Sequence, residues 1–185
     1  KETESIMPSA LHEVFSHGEK EGGEVKKLPD VAQINPTYHL PNSWNGDPLF
    51  PFVPMANVSE ASGTIVEFEQ RPLSRLKSGK TRFQSGDILF AKITPCVENG
   101  KVALVSQLDV PVAFASTEFH VIKSGQRLIP QFAWHFLRSK SVRDMAVASM
   151  TGSTGRQRVP KEFLMHLQIP LPPLSEQHRI VTYLD

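Results

Sequence analysis

The sequence predicts an α+β domain: a twisted, mostly antiparallel β-sheet with a few helices. Three observations carry that prediction. Short β-branched or aromatic runs bounded by Gly, Pro, Asn or Ser recur through the middle of the chain, an Asn-Gly dipeptide lies between two of them, and helical spacing of apolar residues is confined to a few short segments. At 185 residues the chain is long enough for one domain with a real core, so one globular domain plus appendages is expected.

Taken in order, residues 5 to 16 read as a helix with Ile6, Ala10, Leu11, Val14 and Phe15 on one side. His17 to Glu24 is charged and glycine-rich with nothing apolar to bury, which marks a linker, and the domain proper begins near Val25. Strands are expected over Phe50 to Asn57, Thr64 to Glu69, Asp87 to Thr94, Lys101 to Gln107 and Val112 to Lys123. Asn99-Gly100 favours a type I′ turn and pairs Ile88 to Thr94 with Val102 to Ser106 as a hairpin or a slightly looped version of one. Pro130 suits a first helical position, followed by Phe132, Ala133, Phe136 and Leu137 as a buried stripe. Ser141 and Asp144 resemble a capping box opening a second helix through Met145 to Ser149. Finally, prolines 170, 172 and 173 stiffen an extended exit, after which Ile180, Val181 and Leu184 begin an apolar stripe at helical spacing that lacks a partner.

The net charge of +1 hides an asymmetry. Residues 1 to 69 hold four Lys/Arg against eleven Asp/Glu, whereas residues 71 to 161 hold fifteen against five, which is +10. A basic face follows if those cations share a surface. No apolar run approaches the roughly 18 residues that a membrane span needs, so a soluble protein is expected, and the single cysteine, Cys96, suits the reducing cytoplasm.

Catalytic signatures are missing. The seven histidines are scattered singly, with no partner at ligand spacing, so no metal site is expected. Phosphate-binding, dinucleotide-binding and nucleophile-elbow motifs are absent as well. Two partial matches do occur. Asn35-Pro36-Thr37-Tyr38 resembles the motif with which amino-methyltransferases hold a flipped adenine, but Thr37 departs from it and too little chain precedes it for a cofactor half; a turn at the domain's entrance is the simpler reading. Pro29-Asp30 with Glu98-Asn-Gly-Lys101 faintly resembles nuclease carboxylate-lysine sets, with one residue too many in the spacing. No residue is therefore assigned a catalytic role.

What the chain does carry is chemistry for phosphate. Residues 151 to 161 contain three hydroxyls, two glycines, three cations, one amide and no acid. Glycines let backbone N–H groups approach an anion, hydroxyls donate to phosphate oxygens, and arginine grips phosphate or the guanine edge at two points. Arg71, Arg75, Lys77, Lys80 and Arg82 form a second basic run, followed by Lys92, Thr94, Asn99 and Lys101 around the expected hairpin. Phe83, Phe90 and Phe119 sit among aliphatic strand residues and are expected in the core.

Four phrases then assemble in order: Gly86 to Lys101 (GDILFAKITPCVENGK), Ala115 to Val121 (ASTEFHV), Thr151 to Pro160 (TGSTGRQRVP) and Ile169 to Ile180 (IPLPPLSEQHRI). Together they closely resemble the target recognition domain of type I restriction-modification specificity subunits. The resemblance covers nearly the whole chain, since Pro8 to Phe15 also looks like the end of a spacer helix. It implies remnants of long coiled-coil spacer helices at both ends: residues 1–17 as the tail of the preceding spacer, 18–24 as linker, 25–173 as the recognition domain and 174–185 as the start of the following spacer. The chain then looks like the second of two recognition domains, cut out or truncated, with a natural half-subunit as the alternative.

The resemblance further implies that the chain performs no chemistry. It would read one half of a bipartite double-stranded DNA target and position a methyltransferase subunit and, through the complex, a restriction endonuclease subunit; S-adenosylmethionine, ATP and magnesium would belong to those partners, and the sister recognition domain would be reached through the spacer helices. Thr151, Ser153, Thr154, Arg156, Gln157 and Arg158 are expected to shape a loop and position phosphate. Readout of bases is expected from the less family-like residues 37–48, 59–63 and 71–84, including Arg71, Arg75, Lys77, Lys80 and Arg82. Three other readings stay open at this point: a recognition domain within a single-chain restriction-methylation enzyme, a small nuclease or methyltransferase domain with an unrecognised site, and a purely structural interaction module, which the +10 central segment disfavours.

Overall fold

The computed structural model describes residues 24–40, 46–153 and 155–185. The helix expected over residues 5 to 16 and the linker through residue 23 lie outside the described residues, as do residues 41–45 and Thr154. Glu24, expected to end the linker, already opens a strand.

The two ends of the domain are tied together. Strand β1 (Glu24–Lys27) pairs antiparallel with β10 (Gln168–Leu171), setting Val25 opposite Pro170. A two-stranded ribbon tolerates that proline because only one side of the strand needs ladder bonds. A single helical turn, α1 (Leu28–Val31), leads into β2 (Ala32–Ile34), and the Leu28 N–H donates to the Leu167 carbonyl at 2.8 Å.

Two four-stranded sheets form the body. The inner sheet runs β2, β9 (Phe119–Ser124), β6 (Ile88–Ala91), β7 (Val102–Leu104), all antiparallel. The outer sheet runs β4 (Glu69–Pro72), β3 (Leu49–Val53), β8 (Ala113–Ala115), β5 (Thr81–Phe83), with β3 and β8 parallel. Alternation along β6 sorts its side chains between two cores, as a period of two dictates. Leu89 and Ala91 face the outer sheet and meet Val53, Phe83, Ala113 and Ala115, while Ile88 and Phe90 face the helices. Covered on both faces, β6 is buried throughout, which is why it reads as an unbroken apolar run. Phe83, Phe90 and Phe119 are all core residues.

The helical layer consists of α2 (Pro130–Arg138), α3 (Lys140–Ala148), α4 (Lys161–His166) and α5 (Leu174–Leu184). Pro130 does open α2, and Phe132, Ala133, Phe136 and Leu137 are on its buried face. The cap of α3 is Ser139 rather than Ser141: its hydroxyl accepts from the Val142 N–H at 3.3 Å. Asp144 lies two residues past the N3 position that a capping box with Ser139 would need, and accepts instead from Lys140 one turn earlier.

Four strand expectations change. The run Phe50 to Asn57 is strand only as far as Val53, and Met55–Asn57 forms a 3-10 turn. The run Val112 to Lys123 is two strands in different sheets, separated by a turn at 116–118 where the Ser116 N–H bonds Val53 and its hydroxyl accepts from Glu118. Thr64 to Glu69 is mostly loop, because its backbone groups bond locally: Ser59 N–H to Thr64, Val66 N–H to Asn57. Strands β6 and β7 do pair antiparallel, yet Asn99-Gly100 makes no type I′ turn. Asn35 is the one non-glycine residue at positive φ among those described, so Asn99 lacks the conformation a type I′ turn needs. Instead the connection winds helically, and Gly100 at φ +71° closes it: the Lys101 N–H reaches Cys96 O at 3.0 Å and the Gly100 N–H reaches Val97 O at 2.9 Å. That pair of bonds is a Schellman cap.

The terminal stripe has a partner within the domain. Leu184 is buried, and Ile180 and Val181 pack on the same core as α2. Leu174 and Tyr183 are the apolar residues of α5 left exposed.

Candidate nucleic-acid interface

Parallel pairing brings the ends of β3 and β8 to one end of the sandwich. There the Ser116 N–H bonds Val53 O and the Lys92 N–H bonds Glu118 O at 2.9 Å, so β6 ends beside them. The loop 151–159 lies against this end. Thr151 and Arg158 exchange two backbone bonds of 3.0 and 2.8 Å, which closes the loop on itself. The second half of it then continues as a ladder: Ile93 bridges Arg158, the Thr94 N–H donates to Gln157 O at 3.2 Å, and the Val159 N–H donates to Lys92 O at 2.7 Å. Gly152, at φ +119°, turns where a Cβ would stand 3.0 Å from the Arg156 carbonyl. Two segments distant in the chain thereby set Lys92, Thr94, Gln157 and Arg158 side by side.

Buried groups anchor this loop. Val159 is 1% exposed, and its carbonyl accepts from His120 Nε2 at 2.9 Å. The other ring nitrogen, Nδ1, accepts from Asn35 Nδ2 at 3.1 Å, while Asn35 Oδ1 accepts the Val121 N–H at 2.9 Å. Burial holds the His120 imidazole below its ordinary pKa, which suits a neutral ring donating from one side and accepting on the other. Tyr38 is committed as well, its hydroxyl donating to the buried Asp87 carboxylate at 2.7 and 2.9 Å. Asn35 and Tyr38 are thus consumed by the fold, and the base-flipping resemblance of Asn35-Pro-Thr-Tyr38 has no free group behind it.

The electrostatics of the end centre on Glu118. Arg158 grips it at two points, Nε to Oε2 at 2.9 Å and Nη2 to Oε1 at 2.7 Å. Hydrogen bonds from Arg158 hold the Glu118 carboxyl below the usual range despite partial burial. Burial pushes the Lys92 ammonium down, with Glu118 drawing it back up and Arg158 pushing it further down. Arg156 is exposed and has no ion-pair partner among the described residues. Ser153 is exposed on the same loop, and Asn99 lies at the turn that Gly100 closes. Thr94 differs: its hydroxyl is buried without a protein partner. Lys101 spends one donor on the Met55 carbonyl at 3.2 Å.

The other basic run covers the outer sheet. β4 ends at Pro72 opposite Leu49, and β5 begins at Thr81 opposite Ala115, so residues 73–80 travel the length of the sheet. Leu73 and Leu76 seal Phe50, Phe52 and Phe114 beneath them. Cations ring this patch: Arg71 Cζ lies 3.8 Å from the Phe52 ring centre, Lys80 Nζ 5.7 Å from the same ring, and Arg82 Cζ 6.0 Å from that of Phe114. Each such contact stabilises by about 0.5–1 kcal/mol at an exposed site. Arg71 also pairs with Glu69 at 2.6 Å, and Arg82 donates to the Tyr38 carbonyl at 2.8 Å. Arg75 and Lys77 stand exposed beside Asp47, whose carboxylate caps Ser74.

Two features of the site have no local signal in the sequence. Glu118 is an internal counter-ion to the cations at this end, paired across 40 residues and marked in the chain only by its place in a family-like phrase. Arg138, at the end of α2, holds the loop 59–63 by donating to the carbonyls of Glu60, Ala61 and Ser62 at 3.3, 2.7 and 3.2 Å while stacking on Trp134 at 4.7 Å. Among the described residues, no three His, Cys, Asp or Glu side chains converge as a metal site, and no helix is long and apolar enough to cross a membrane.

Comparison with known proteins adds a family. The model of the type I restriction modification DNA specificity domain matches residues 20–185. The chain is 33% identical over 181 residues to the type I restriction enzyme EcoAI specificity subunit of Escherichia coli, covering 86% of this chain and 31% of that protein. It is 36% identical over 162 residues to the EcoEI specificity subunit, also of Escherichia coli, covering 87% and 27%. Among solved structures, the HsdS subunit from Thermoanaerobacter tengcongensis superposes with a TM-score of 0.73 at 29% identity, covering 88% of this chain and 41% of that one. A chain from a structure of type I restriction-modification complex assembly and conformational transition gives a TM-score of 0.68 at 25% identity, with the same coverages. The chain therefore spans about a third of the length of these curated relatives.

Proposed function

The chain belongs to the type I restriction modification DNA specificity domain family, and from that premise we propose that it is a target recognition domain reading one half of a bipartite double-stranded DNA sequence. The observation that carries this reading is the convergence of residues 92–94 with 156–158 at one end of the sandwich, where Lys92, Arg156 and Arg158 gather and Arg158 grips the Glu118 carboxylate at two points. Phosphate contacts from Lys92, Arg156, Arg158, Ser153 and Thr151 would fix the register on the duplex, and base edges would be read from the grooves by side chains outside the four family-like phrases. The loop 59–63 and the segment 71–84, with Arg71, Arg75, Lys77, Lys80 and Arg82, are assigned to that second role. Asn99, Lys101, Thr94 and Gln157 support the loop or approach the backbone.

The domain performs no chemistry of its own. A methyltransferase subunit using S-adenosylmethionine and a restriction endonuclease subunit using ATP and magnesium supply it, in the cytoplasm. Residues 174–185 are read as the first turns of a spacer helix toward the sister recognition domain, residues 1–17 as the end of the preceding one, and 18–24 as a linker that gives way to β1 at Glu24. The test is binding of the purified chain to labelled duplexes across a salt series. Arg156→Ala should weaken binding to all sequences alike and lower the salt slope by about 0.9 per lost phosphate contact, whereas Arg75→Ala should relax preference among duplexes. Cleavage or methyl transfer by this chain alone, given magnesium and S-adenosylmethionine, would overturn the assignment.

A further inference from the structure

Gln177 is a polar side chain with no exposed surface. It sits in the first turns of α5, where an ordinary surface helix would present it to water. Every side of its amide is used: Oε1 accepts the Ile129 N–H at 2.9 Å, and Nε2 donates to the carbonyls of Arg127 and Pro172, both at 2.9 Å. Ile129 is the residue immediately before α2, so its N–H has no intrahelical partner and depends on this acceptor. At the far end of α5, Asp185 accepts from His135 Nε2 of α2 at 3.0 Å. Between these two points Ile180, Val181 and Leu184 pack on the core that α2 shares. The same α2 also clamps the loop 59–63 through Arg138 and donates from Trp134 Nε1 to Val102 O at 3.2 Å.

We infer that Gln177 is a positioning residue that pins α5 to α2, so that the recognition domain and the helix leaving it turn as one rigid body. Two of these bonds tie α5 to the segment leading into α2 and the third holds the Pro172 carbonyl at the start of α5 itself, a set of directions that restrains rotation and sliding as apolar packing alone does not. The inference rests on the proposed function only for its consequence: the separation and rotational phase of the second half-target are set from Gln177 onward, with no hinge at Pro172-Pro173. Removing the amide leaves the Ile129 N–H and two carbonyls unsatisfied in a buried place, and the helix gains freedom to pivot on its apolar stripe.

The experiment measures distances between spin labels in the 185-residue chain without DNA, so its failure leaves the DNA assignment standing and the converse holds too. In a Cys96→Ser background, labels at Ser141→Cys on α3 and Tyr183→Cys on α5 report the helix, and labels at Ser141→Cys and Glu162→Cys on α4 report the body. Both distance distributions should be narrow in the parent. In Gln177→Ala and in the near-isosteric Gln177→Met, the α5 pair should broaden to at least twice its parent width while the body pair stays narrow. An α5 pair as narrow as the parent's, or equal broadening of both pairs, overturns the inference.

Discussion

Replacing Gly63 by alanine tests the clamp that α2 places on the loop 59–63. Gly63 lies at φ +65°, and an added Cβ would stand 2.6 Å from Arg138 Nε and 2.8 Å from Trp134 Cζ2. Gly79 is the matched control: it lies at φ +63° with nothing within 4 Å of the added Cβ. Both variants incur the left-handed penalty of roughly 1–2 kcal/mol. Gly63→Ala must in addition displace Arg138, which loses the 2.7 Å bond to Ala61, its two longer carbonyl bonds and its place on Trp134. Weighting the short bond as one charge-assisted hydrogen bond and the stacking as a surface cation–π contact gives an excess of about 2–4 kcal/mol. Urea unfolding monitored by tryptophan fluorescence and by far-ultraviolet dichroism measures it, with an unchanged m-value required for the comparison. If Gly63→Ala costs no more than Gly79→Ala, Arg138 does not hold the loop.

Other perturbations follow the same logic. Glu118→Gln removes the one acid among the cations at the site, so duplex binding should tighten and its salt dependence should steepen by about 0.9 per phosphate newly contacted by Arg158 or Lys92; an unchanged slope counts against their contact with DNA. Phe90→Ala, beneath the same end, should cost about 3–5 kcal/mol by leaving a cavity in the core facing the helices, read as a lower urea midpoint. The buried imidazole of His120 is held below its ordinary pKa, as burial holds that of His135. Their stabilising contribution is therefore fully present above the unfolded value of about 6.5 and is lost as pH falls through the lowered folded value. Stability should decline as pH falls below about 6.5, and His120→Gln should flatten that decline; an identical pH profile in the variant would show that the burden lies elsewhere.

The pattern of the chain makes the mixed fold legible, because strand and helix periods survive even where boundaries shift. Pro130 with its stripe of Phe132, Ala133, Phe136 and Leu137 is readable since a helix face is a local property. The terminal stripe is ambiguous for the opposite reason. Ile180, Val181 and Leu184 announce a buried face but cannot say which surface buries it, and the surface proves to be α2 of the same domain. Asn99-Gly100 misleads because glycine at positive φ closes a helical turn as readily as a hairpin, and only the bonds of Lys101 and Gly100 distinguish the two.

By itself, then, the sequence determined the class of fold, the basic middle of the chain, the phosphate-suited loop 151–161 and the family phrases. It could do so because composition, period and motif are carried by neighbours in the chain. Tertiary structure alone decided which cations are free, since Arg158 meets Glu118 only when the loop 151–159 packs against the turn at 116–118. It decided that Asn35 and Tyr38 serve the core, that residues 92–94 and 157–159 form one ladder, and that Gln177 is buried among three partners 5 to 50 residues away. Hydrogen bonds and ion pairs act over a few ångströms in space, and the chain order holds no record of which distant groups the packing will bring within that reach.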